Sequence, residues 1–107
     1  MSYIHINNPK MSKLEIFSAL LSVVSEVTDV SAADILSNCR REEVVDARMI
    51  LARCLSKEGF YPSQIAALMG QTTRNVNRAL SLVDARLMSS LSLRINLESV
   101  RKKAGIM

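Results

Sequence analysis

Residues 62–81, PSQIAALMGQTTRNVNRALS, constrain the fold more than any other stretch, because two helical periods meet there at Gly70. Ala66, Gly70 and Val76 stand at relative positions five, nine and fifteen of this twenty-residue window. Where two helices cross steeply, the fifth position must be small so that the second helix can approach. The ninth must bend back, often with a positive φ that glycine adopts without steric cost. The fifteenth is an apolar plug. Ile65, Met69, Val76, Ala79, Leu80 and Val83 supply a shared apolar seam at helical spacing on both sides of the turn. The spacing predicts a helix-turn-helix.

The seam leaves the opposite face of the second helix free. That face holds Arg74, Asn77 or Arg78, and Ser81, with Thr73 and Asn75 beside it and Gln71 and Thr72 at its entry. Arginine and asparagine match guanine and adenine edges in bidentate geometry, and threonine suits a phosphate or a thymine methyl. These are the side chains a major-groove reader needs. An ordinary helical hairpin with a solvated polar face has the same periodicity, but the second helix begins with basic charge alone, and DNA binding is the expectation.

Length allows one domain with a single core. Few glycines and prolines, scarce aromatics and little alternation point to an all-α fold, a bundle of five to six helices. No apolar run approaches the roughly twenty residues a membrane span needs. The opening MSYIHINNPK is too polar for a signal peptide, so a cytoplasmic protein with no membrane partner is expected. Cys39 and Cys54 lack a second pair and a nearby histidine, so they read as reduced thiols and small core residues, with no metal site.

Charge is unevenly spread. Residues 1–39 hold two lysines against four acids, residues 40–68 five basic against four acidic, and residues 69–107 seven basic against two acidic. The basic excess therefore gathers where the second helix of the turn motif and the tail lie, as a phosphate-facing surface requires. Arg94, Arg101, Lys102 and Lys103 lack the large apolar anchors of a membrane-surface helix.

Taken in order, residues 1–11 read as a flexible leader, with the alternating Tyr3, Ile4, His5 and Ile6 lacking a strand partner and His5 carrying no chemistry. Ser12 and Glu15 form a capping box for a helix to about Val27, whose core face is Leu14, Phe17, Leu20 or Leu21, Val24 and Val27. Ser31 and Asp34 open a second, short helix through Leu36. Arg40 and Arg41 fall in a loop. Glu42, Glu43 and Asp46 then begin a helix with apolar Val44, Val45, Ile50, Leu51, Cys54 and Leu55, capped near Gly59. Arg48 and Arg53 are placed off its core, with Glu42, Glu43 and Asp46 as the acids within reach of Arg48. The helix after the turn runs to about Met88. Residues 89–107 form a last helix and basic tail, whose Leu93, Leu97 and Val100 face either packs on the bundle or pairs with a second copy as a homodimer.

Residues 34–49, DILSNCRREEVVDARM, resemble the carboxy-terminal DNA-binding domain of the bacterial replication initiator DnaA. That family has a similar aspartate-leucine run, a basic loop, and a valine-acid-alanine-arginine pattern entering a long helix that precedes a helix-turn-helix. The resemblance covers about residues 14–88. It implies that Arg40 and its neighbour Arg41 match the loop that enters the minor groove, where a narrow A·T-rich groove attracts arginine. It also implies that Arg48 matches a helix arginine that holds the duplex, and that the start of the second helix matches the base-reading segment. The family's aspartate-histidine-serine or threonine-threonine-valine signature is replaced here by Thr72, Thr73, Arg74, Asn75 and Val76, and the turn is one residue shorter. Retained docking with an altered sequence preference is the consequence.

No Gly-x-x-x-x-Gly-Lys-Ser/Thr loop is present, so the initiator's ATPase part has no counterpart. One histidine, two cysteines and carboxylates at helix starts offer no converging catalytic groups, so no enzyme, cofactor or small-molecule substrate is expected. The expected function is sequence-specific binding of double-stranded DNA, as a stand-alone regulator or accessory replication factor. The alternative is a helical protein-interaction module that has lost DNA affinity, with its partner on the Leu93, Leu97 and Val100 face.

Overall fold

Six helices account for the ordered architecture of the computed structural model, which describes residues 11–106. They are α1 (Lys13–Thr28), α2 (Ala32–Ile35), α3 (Glu42–Lys57), α4 (Pro62–Met69), α5 (Thr73–Ser89) and α6 (Leu91–Ala104), with no strand among the described residues. The leader readings on Tyr3, Ile4, His5 and Ile6 lie outside the described residues.

α3 is the hub, packed against each of the other five helices. Its sequence dictates this: Val44, Ala47, Met49, Ile50, Leu51, Ala52, Cys54 and Leu55 are all buried and wrap most of the helix circumference, and a helix apolar on most sides can exist only inside. Around it the ends are fixed locally. Ser12 accepts from the Glu15 N–H at 3.2 Å while Glu15 accepts from the Ser12 N–H at 2.8 Å, completing the expected box. Ser31, Thr72 and Ser90 cap α2, α5 and α6 with their hydroxyls.

α1 differs from expectation at its first turn. Leu14 is 65% exposed, whereas Phe17, Leu20, Val23 and Val24 are buried. The buried arc centres on Leu20 and Val24, and at about 100° per residue Leu14 sits roughly 100° round from that centre. α6 also departs from one of its two readings. Leu93 and Val100 are fully enclosed and Leu97 packs on the same cluster, against α1, α3 and α5, so the face offered to a second copy or another partner is filled by the chain's own core.

The turn motif follows its sequence logic. Ala66 is buried where α4 meets α5, and Gly70 adopts φ 67°, ending α4 in the left-handed region. The Gln71 N–H returns to the Ala66 carbonyl at 2.9 Å and closes the turn. Ile65, Met69, Val76 and Val83 are buried, with Ala79 and Leu80 half-buried beside them. α5 is anchored further along by Arg86, which pairs with Asp46 and Glu42 on α3, and by Asp84, which pairs with Arg53. The outward half of α5's first three turns is thereby left to solvent.

Candidate nucleic-acid interface

The loop between α2 and α3 folds beside α5, and between them runs an open cleft of about 370 Å³. Asn38 and Arg40 come from the loop, Arg48 from α3, Gln71 from the turn, and Asn75 and Arg78 from α5. Val45, Met49, Ala79 and Leu82 form its apolar floor. No carboxylate lines it. Five of the sequence-nominated residues thus converge: Arg40, Arg48, Gln71, Asn75 and Arg78. Asn75, Arg78 and Leu82 lie at helical spacing, so one stripe of α5 faces the cleft.

Arg74 and Asn77 form a second stripe, exposed one step round the helix, with Ser81 continuing it. Thr73 is exposed at the first position of α5. Thr72 is exposed too, but its hydroxyl is committed to the helix, accepting from the Asn75 N–H at 3.0 Å. The guanidinium groups of Arg40, Arg74 and Arg78 make no ion pair among the described residues.

Arg41 behaves differently from its neighbour. Its guanidinium lies 3.2 Å from Asp34 and 3.8 Å from Glu43, and its Nε donates to the Cys39 sulfur at 3.4 Å. Its charge is offset locally, and it lies outside the cleft lining.

Arg48 has none of the acidic partners expected along its helix: Glu43 serves Arg41, while Glu42 and Asp46 serve Arg86. Its Nε donates to the Ile35 carbonyl at 2.9 Å, and Nη2 donates to the carbonyls of Cys39 at 3.1 Å and Asp34 at 3.3 Å. Spare carbonyls at the end of a short helix draw it inward, because backbone acceptors leaving a helix need donors. Burial lowers the Arg48 pKa, and the like charge of Arg40 adds to that. Three arginines and no carboxylate line the cleft, the electrostatic condition for attracting an anion.

Asn38 and the apolar floor were not singled out in the sequence. Val45 reads there as part of an apolar helix face and Ala79 as part of the seam, and Met49 and Leu82 are assigned no role. Among the described residues no group of three or more His, Cys, Asp or Glu side chains is placed to hold a metal, and no helix is long and apolar enough to cross a membrane. No protein-family model matches the chain, and no curated protein or solved structure matches it either.

Proposed function

We propose that this chain binds double-stranded DNA sequence-specifically, as a relative of the replication initiator's recognition domain acting as a regulator or accessory replication factor. α5 enters the major groove with Arg74 and Asn77 toward base edges, and the loop at Arg40 reaches the adjacent minor groove. Adjacent grooves are separated by one sugar-phosphate strand, so a protein that reads both must present a cleft for that strand to cross. The cleft between α5 and the residue 38–41 loop supports this reading, with Arg48 and Arg78 as the phosphate partners.

One observation carries the reading: arginines from three separate segments meet in one cleft free of carboxylates. The resemblance of residues 34–49 and the basic excess of the carboxy-terminal third support it. Fluorescence anisotropy with labelled duplexes tests it. Two to three phosphate contacts give a log–log salt slope of about −2 to −3, and selection from a random duplex pool then yields a consensus site. Absence of salt-dependent duplex binding at low ionic strength removes the reading.

A helical protein-interaction module is the second reading. Met88, Leu91 and Ile95, which are exposed by 83%, 63% and 55% near the joint of α5 and α6, are the observation that favours it. A captured partner released by Ile95→Asp, in a chain that ignores duplex DNA, selects this reading.

A further inference from the structure

On the side of α3 away from Arg48, a second cavity of about 240 Å³ separates α3 from α6. Arg53, Cys54 and Lys57 line it from α3, Leu97 and Arg101 from α6, and Ile106 completes the wall. Three cations therefore face one space with no carboxylate in its lining. Arg53 is paired with Asp84 and Arg101 lies 3.5 Å from Glu98, but both acids stand outside the cavity and are 74% and 57% exposed. Lys57 has no ion partner among the described residues.

Basic residues late in a helix complement its dipole, and Lys57 and Arg101 both sit in a last turn. That role is satisfied by side chains spread in solvent. It does not require cations from two helices to converge across a packed interface, where Asp84 and Glu98 offset Arg53 and Arg101 only from outside the cavity and an anion inside it would be attracted by all three.

We propose that the α3–α6 cavity binds a small phosphate-bearing anion, independently of the DNA reading. A tetrahedral dianion accepts from donors arriving on several sides, as Arg53, Lys57 and Arg101 do, whereas a planar carboxylate offers one charge and two oxygens. The cavity exceeds a bare phosphate in volume. Leu97, Ile106 and the Cys54 thiol supply an apolar wall for the carbon skeleton of a phosphate monoester.

Amide chemical shifts followed during titration with inorganic phosphate, and separately with glycerol 3-phosphate, test the site at fixed ionic strength. The expected result is saturable movement at Cys54, Leu97 and Ile106, with tighter half-saturation for whichever source fits. Lys57→Gln and Arg101→Gln each raise the half-saturation concentration about tenfold. Arg94→Gln, on the exposed face of α6, leaves it unchanged. Circular dichroism of each variant confirms that the helices persist. Sodium chloride reproducing the shifts, movement centred on Gln71 and Asn75 instead, or indifference to both cavity variants overturns the proposal. A chain that fails to bind duplex DNA but shows the expected titration loses the DNA reading and keeps this one.

Discussion

Arg48 on α3 donates through Nε to the carbonyl oxygen of Ile35, 2.9 Å away and 13 positions earlier in the chain. The same guanidinium holds the Cys39 and Asp34 carbonyls, so one side chain fastens the end of α2 and the start of the basic loop to the hub helix. Arg48→Ala takes this donor from the Ile35 and Cys39 carbonyls, while Asp34 keeps the Ser37 N–H and hydroxyl, and is expected to destabilise the fold by about 1–2 kcal/mol, read from the denaturant midpoint. Duplex affinity should fall alike for all sequences, with the salt slope flatter by about one unit. Arg48→Lys keeps the charge but cannot reach three carbonyls with a rigid fork, so it should recover the salt slope better than the stability. Equal recovery of both would refute the dual role.

The turn at Gly70 is set by backbone conformation, not by crowding. A Cβ built on Gly70 meets nothing within 4 Å, yet φ is 67°. Gly70→Ala is expected to cost about 1 kcal/mol, because the left-handed region disfavours a side chain, and for a domain of this size that lowers the melting temperature by about 4 °C. Gly70→Asn should cost less, since asparagine tolerates this region. A thermal melt that ranks alanine above asparagine would contradict the assignment.

The helix-turn-helix was legible because its determinants are local: a small residue at 66, a glycine at 70 and a plug at 76, with caps at Ser12, Ser31 and Thr72 readable from hydroxyls preceding apolar periods. The last helix was legible as a pattern but not in its destination, because amphipathicity reveals an apolar face and not what covers it. Leu93 and Val100 prove to be buried in the chain's own core, where α6 packs against α1, α3 and α5. The cleft was half legible. Arg40, Arg48 and Arg78 were each nominated, but their meeting depends on how the residue 38–41 loop folds beside α5. Arg48's carbonyl partners depend on where α2 ends. Both are tertiary facts that no periodicity encodes.

The two cysteines should react at very different rates. Hydrogen bonds from the Arg41 backbone and then from its guanidinium lower the pKa of the Cys39 thiol, whereas burial pushes that of Cys54 up to about 12. The thiolate is the nucleophile, so at a given pH Cys39 carries a larger thiolate fraction than Cys54. Iodoacetamide labelling followed by mass spectrometry should modify Cys39 alone in the native protein, and Cys54 only after denaturant is added. Arg41→Ala should shift the labelling–pH profile of Cys39 to higher pH. An unchanged profile would mean that Arg41 does not tune the thiol.

The two stripes of α5 separate specificity from affinity. Arg74 and Asn77 stand on the outward ridge, and Arg78 lines the cleft with Arg48. Arg74→Ala should cost roughly 1–3 kcal/mol against the selected site and little against unrelated duplexes, because a bidentate base contact is lost. Asn77→Ala should act in the same sense. Arg78→Ala should weaken all duplexes by a similar factor and flatten the salt slope by about one unit, since a phosphate contact carries no base information. All three side chains are solvent-exposed, so each variant should melt within about 0.5 kcal/mol of the parent. Comparing selected and scrambled duplexes across a salt series measures both quantities together. If Arg78→Ala relaxes base preference while Arg74→Ala flattens the slope, the roles of ridge and cleft are interchanged. α5 must then lie in the groove rotated by about one residue, with its cleft stripe against the bases.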